Sequence, residues 1–143
     1  MSHAYVDILI VEDSLYDVEL TLRALKKENP DLLITILTDG EEAVKFIDKT
    51  IIELGQFPRI IILDLKLPKI DGIEVLRKLK SNAVTQSIPV VILSSSNEKS
   101  DVNNSYRIGA NSYVTKAVDV DEFFSSLKYI CDYWLKLNKT LIR

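Results

Sequence analysis

The stretch IIILDLKLPKIDG, residues 60–72, decides how this chain is read. Ile60, Ile61, Ile62 and Leu63 run without a polar break, the pattern of a strand buried on both faces. Asp64 then stands where that strand should end, and Lys66, Pro68, Asp71 and Gly72 follow within eight residues. A buried strand that runs straight into a carboxylate calls for a chemical reason.

Working outward, similar apolar runs recur along the chain. They are DILIV (7–11), LLITIL (32–37), RIIIL (59–63), PVVIL (89–93) and SYVTK (112–116). Segments of helical period lie between them. Val18, Leu22 and Leu25 share a face after Ser14, an N-cap residue type. Ala43, Ile47, Ile51 and Leu54 do so after Asp39-Gly40, and Ile73, Leu76 and Leu79 after Asp71. Phe123, Leu127, Ile130 and Trp134 line the last and longest helix after Asp119. This alternation of strand and helix predicts an α/β fold, a five-stranded parallel sheet with helices on both faces. Runs one, three and four are apolar throughout and belong in the centre. Runs two and five carry Thr35 and Thr115 and belong at the edges. The order 2-1-3-4-5 satisfies both conditions. The fourth helix is the weak one: in SSSNEKSDVNNS (94–105), eight of twelve residues are Ser or Asn, which compete with helical hydrogen bonding.

Composition narrows the function. The chain has 143 residues, 47% hydrophobic and 27% charged, which suits one globular domain over 1–143 with no appended effector domain. A net charge of −3 without a basic run argues against direct nucleic-acid binding. Cys131 is the only cysteine, so no intramolecular disulfide and no thiolate zinc site is expected, and a reducing cytoplasm is the simplest setting. No apolar run approaches the roughly 20 residues that span a bilayer.

In an open parallel sheet, ligands bind beyond the carboxyl ends of the strands. Run one ends in Glu12-Asp13 and run three in Asp64, and the predicted order makes them neighbours. Three carboxylates so close need a cation or protons to neutralise them, and an all-oxygen set suits Mg²⁺. Taken singly, each acid also reads as a helix N-cap or first-turn residue. Ser94 brings a hydroxyl to the same edge and Lys116 a cation, suited to a counter-ion or phosphate role, although a lone lysine there is commonly just solvated.

With these residues assembled, the chain resembles the receiver domains of two-component response regulators. VED (11–13), LDLKLPKIDG (63–72), PVVILSS (89–95) and GANSYVTK (109–116) carry the resemblance in order. It implies a flavodoxin-like fold and a phosphorelay module that takes a phosphoryl group from a kinase phosphohistidine onto Asp64. Glu12, Asp13 and Asp64 would hold Mg²⁺, with the backbone carbonyl of Lys66 as a further ligand. Lys116 would bind the phosphoryl group, and Ser94 and Tyr113 would be the switch pair. Tyr113 is equally compatible with simple packing against helix four. The family commonly has Pro after the Lys, often with a cis bond, whereas Ala117 follows here, so a trans bond is expected.

The chain is more specifically similar to single-domain regulators linked to phytochrome-type histidine kinases. DKTIIELGQFPR (48–59), SYRIGANSYVTK (105–116) and the tail FFSSLKYICDYWLKL (123–137) carry that likeness. It implies such a kinase as partner, a downstream protein target, and no catalysis beyond self-phosphorylation and autodephosphorylation. Two alternatives remain: a metal-dependent phosphohydrolase with Asp64 as nucleophile, and a degenerate receiver acting as a binding platform. The first wants a second Asp at position 66, which is Lys66. A flavin module would need a Gly- or Ser-rich loop after strand one, which the sequence lacks. The output face is expected on helix four, strand five and helix five, with Tyr113, Tyr133 and Trp134 at a homodimer or partner interface. Alternatively, Trp134 packs under the N-terminal segment SHAYVD (2–7).

Overall fold

The structure, a computed structural model, describes residues 6–141. Strands β1 (Val6–Val11), β2 (Ile34–Leu37), β3 (Pro58–Leu63), β4 (Val90–Ser94) and β5 (Ser112–Thr115) alternate with helices α1 (Leu15–Glu28), α2 (Gly40–Phe46), α3 (Gly72–Ser81), α4 (Lys99–Ile108) and α5 (Val120–Cys131). All strand pairs are parallel and the order is β2-β1-β3-β4-β5, as the burial argument requires. The central strands are buried almost throughout, whereas β2 and β5 are only half-buried. Each face of the sheet carries its own core. One is built on Leu9, Val11, Ile61, Leu63, Val90 and Ile92 under α2 and α3. The other is built on Ile8, Ile10, Ile60, Ile62, Val91 and Leu93 under α1 and α5. The strict alternation along each strand sends successive side chains to opposite cores.

α1 starts at the cap read in the sequence, Ser14, and three other helices start after an aspartate that precedes their apolar stripe. Ser14, Asp39, Asp71 and Asp119 are N-caps, and each side chain accepts a backbone N–H of the first turn. Glu98, which precedes α4, makes no such bond, and Ser105 is the only buried residue of α4. Two helices change pitch. α2 continues as a π-helix over Ile47–Glu53, and α5 over Asp132–Leu137. This corrects one expectation: Ala43, Ile47 and Ile51 are buried, but Leu54 is 66% exposed. A π-turn takes more residues than an α-turn, so the apolar stripe drifts off the core before residue 54. Every strand also shifts by one or two residues from the run read in the sequence: β1 begins one residue earlier at Val6, β3 one earlier at Pro58, and β4 runs one residue later at both ends, Val90–Ser94. β2 starts only at Ile34, with Leu33 exposed, and β5 stops before Lys116. Arg59 latches the end of α5 to the far rim of the sheet, donating to the Leu135 carbonyl at 2.6 Å and pairing with Asp7 at 3.3 Å. Among the described residues, no helix is long and apolar enough to cross a membrane.

Candidate functional site

The carboxyl ends of β1 and β3 lie side by side because the two strands pair in register, Val11 opposite Leu63. The ladder continues one step further, with the Asp64 N–H donating to the Val11 carbonyl at 3.0 Å and the Glu12 N–H to Leu37 at 3.0 Å. Backbone pairing thus fixes both acids before any side chain acts. Glu12 and Asp64 are buried and Asp13 is exposed, and one carboxylate oxygen from each lies within 4.8 Å of the others. Their donor set is oxygen only, the chemistry that suits a hard divalent cation, and these three carboxylates can hold one.

The loop after β3 shapes the floor of the site. Gly72 opens α3 directly beneath Asp64, where a Cβ would come 2.1 Å from the Asp64 carbonyl oxygen and 2.6 Å from the Leu65 Cα. The Gly72 N–H donates to the Leu65 carbonyl at 2.9 Å. Gly40 is pressed as hard against the same loop, where a Cβ would meet the Ile70 carbonyl oxygen at 1.8 Å. Asp39 pairs with Lys69 of that loop at 3.4 Å. The Lys66 N–H faces Asp64 Oδ1 at 3.4 Å.

Lys116 closes the other side. Its backbone N–H is held by the Ser94 carbonyl at 2.7 Å. Its Nζ reaches Glu12 Oε1 at 2.5 Å, Asp17 Oδ2 at 2.8 Å and Asp64 Oδ2 at 3.2 Å. Burial alone would depress this ammonium. The hydrogen bonds to Asp17 and Glu12 and the charges of Asp64 and Glu12 outweigh burial and hold it well above its ordinary value. Burial likewise pushes the Glu12 carboxyl up, to about 7, with the Asp64 charge adding to it and the bond to Lys116 opposing it. All peptide bonds of the described residues are trans, Lys116–Ala117 included, as the missing proline leads one to expect.

Ser94 is fully buried at the end of β4, and its Oγ accepts the Ser96 N–H at 3.3 Å. The half-buried Tyr113 donates its hydroxyl to the Ser96 carbonyl at 2.7 Å. Both residues therefore hold the loop that leads into α4. Tyr133 and Trp134 lie far along the chain from this rim, in the π-helical end of α5. Their rings meet edge to face, centroids 4.9 Å apart. Trp134 packs partly on the α1–α5 core and partly lines a groove of 440 Å³ with Val114, Tyr129 and Tyr133. Of the N-terminal segment expected against Trp134, residues 2–5 lie outside the described residues.

Sequence reasoning missed Asp17. Three residues after the Ser14 cap, it reads as an ordinary first-turn acid. The available signal was topological: a helix that follows β1 must start at the rim where the strand ends, so its first turn faces the site.

The model of the response regulator receiver domain matches residues 8–128. The chain belongs to that family. Among relatives of this receiver, response regulator Rcp1 of Synechocystis sp. is 39% identical over 134 residues, covering 90% of this chain and 88% of Rcp1. The solved Mn²⁺-bound form of Rcp1 superposes with a TM-score of 0.87 at 36% identity, covering 96% of this chain and 99% of that one. The phosphorylated cyanobacterial phytochrome response regulator RcpA superposes with a TM-score of 0.90 at 34% identity, covering 97% and 100%. Full-length likeness to these proteins bears out the narrower resemblance, and the receiver fold is that of flavodoxin-like 2-1-3-4-5 sheets.

Proposed function

We propose that this receiver takes a phosphoryl group onto Asp64 from the phosphohistidine of a histidine kinase, a phytochrome-type kinase in particular, and passes the signal on through protein contacts. The observation that carries this reading is the position of Asp64, flanked by Glu12 and Asp13 on one side and Lys116 on the other. An Asp64 carboxylate oxygen attacks phosphorus, the bond from phosphorus to the kinase imidazole nitrogen breaks, and that nitrogen keeps the electron pair. Phosphoryl transfer needs positioning and charge neutralisation more than covalent help. Glu12, Asp13 and Asp64, with the Lys66 carbonyl, would hold Mg²⁺, which would supply charge neutralisation for the incoming phosphoryl oxygens. Lys116 supplies a fixed cation from the opposite side. Exposed Leu15, Tyr16 and Val118 flank the rim and offer apolar surface for the kinase.

The product adds charge and three strong acceptor oxygens next to Ser94. Ser94 and Tyr113 both bond to the loop before α4, so a shift of the Ser94 hydroxyl toward the phosphoryl group changes the loop that Tyr113 grips. The output surface is then the face of α4, β5 and α5. Tyr113, Tyr133 and Trp134 are its aromatic contacts, with a protein target or a second copy of the chain as occupant.

Intact-mass analysis after treatment with acetyl phosphate and Mg²⁺ tests the reading. One added phosphoryl group is expected in the wild type and none in Asp64→Asn. Equal labelling of the two proteins would overturn it.

A further inference from the structure

We propose that Asp17 is the positioning residue that keeps Lys116 aimed at the phosphoryl group after Asp64 has been modified. This inference rests on the reading of Asp64 as phosphoacceptor. An ammonium has three N–H donors, and the structure gives Lys116 three carboxylate partners: Glu12, Asp17 and Asp64. Two of these partnerships do not survive loading of the site. Phosphorylation turns one Asp64 oxygen into an acyl phosphate oxygen, a poorer acceptor with no full charge. Glu12 belongs to the carboxylate trio that a divalent cation would claim. Asp17 is outside that trio and keeps its carboxylate whatever happens to the other two.

The mounting of Asp17 supports the role. Its side chain is 25% exposed, against 6% for Glu12 and 8% for Asp64, so it approaches Lys116 from the solvent side of the site and leaves the buried carboxylates free for other ligands. It sits in the first turn of α1, whose start is fixed by the Ser14 cap: the Asp17 N–H donates to Ser14 Oγ at 3.3 Å. Lys116 has its backbone pinned to Ser94 at 2.7 Å, but a lysine side chain has several free torsions between backbone and ammonium. A permanent acceptor at the tip removes that freedom. A plain first-turn acid, by contrast, would act only on the helix dipole and would have no need of Lys116.

The test compares wild type, Asp17→Asn and Asp17→Glu for three readings. These are the rate of Asp64 phosphorylation by acetyl phosphate at saturating Mg²⁺, the affinity for Mn²⁺ by electron paramagnetic resonance, and thermal unfolding. Asp17→Asn should slow phosphorylation about tenfold, the worth of one charge-assisted hydrogen bond. Its Mn²⁺ affinity should change by no more than about threefold, since only a nearby charge is lost and no ligand. Asp17→Glu should regain part of the rate. In a Lys116→Ala background, Asp17→Asn should cost nothing further on the residual rate. Should Asp17→Asn not fold, Asp17→Ser takes its place in every comparison. An unchanged rate overturns the inference, and so does a loss that persists without Lys116. A fall in Mn²⁺ affinity that tracks the rate overturns it as well, because Asp17 would then belong to the metal centre. If the wild type itself takes up no phosphoryl group, the phosphoacceptor reading falls first and this inference with it.

Discussion

Gly72 shows how one missing side chain holds the site together. Its φ is not in the left-handed region, unlike Gly55 and Gly109, so what matters there is space. The atoms a Cβ would strike belong to the backbone of Asp64 and Leu65 and cannot swing aside. Gly72→Ala should therefore cost about 3 kcal/mol by chemical denaturation, the upper range for overpacking. It should also slow phosphorylation in the fraction that stays folded, because the strain falls on Asp64 itself. Asp13→Ala should behave in the opposite way. Asp13 is exposed and close to two buried carboxylates, so its removal relieves repulsion. Without added metal the variant should unfold at or above the wild-type temperature, while its Mg²⁺ affinity and phosphorylation rate fall. A clear loss of metal-free stability would favour the capping role instead. At this scale the acids at strand ends were legible in the sequence, because a charge ending a doubly buried run stands out. Asp17 was not legible, because a helix cap explains it equally well.

Among the elements, α4 stands apart. It lacks a side-chain N-cap, buries only Ser105, and is rich in residues that compete with helical bonds. Its loop is gripped by Ser94 and Tyr113. Low local stability is expected where a segment must shift. Amide exchange should be faster in α4 than in α1, α3 or α5, and should change most there on phosphorylation; protection equal to that of α1 would count against a switch through this helix. The weakness of α4 was legible from its Ser and Asn content. The π-helical ends of α2 and α5 were not. Hydrophobic spacing of three and four residues fits an α-helix and the first turn of a π-helix alike, and only at Leu54 do the two diverge. The Ser14 cap was legible from its residue type, whereas Asp39, Asp71 and Asp119 were legible only as the points where apolar stripes begin.

The whole molecule is two cores back to back on one sheet, and Cys131 reports on one of them. Its thiol is buried under α5, and burial, with the Glu28 and Asp132 charges adding, pushes it from 9.0 to about 11. Between those values the unfolded chain has given up the thiol proton and the folded chain keeps it. Folding then binds the proton more tightly, and stability falls as pH rises from about 9 to 11. Cys131→Ala should flatten that part of the stability curve, and alkylation of Cys131 in the wild type should be slow until the protein opens. Strand order was legible because edge and central strands differ in composition, and order alone carried Glu12, Asp13, Asp64, Ser94 and Lys116 to one rim. Among the described residues, that rim gathers four carboxylates, three of them paired with the Lys116 ammonium and the fourth, Asp13, beside Glu12 and Asp64. Such an imbalance makes the fold a thermometer for its own ligand. A divalent cation bound only by the folded chain raises stability by mass action, about 2.7 kcal/mol at a hundredfold excess over its dissociation constant. The unfolding temperature should climb with the logarithm of Mg²⁺ concentration, return on chelation, and stay flat in Asp13→Ala, so occupancy can be read by heating alone, with neither kinase nor phosphodonor present.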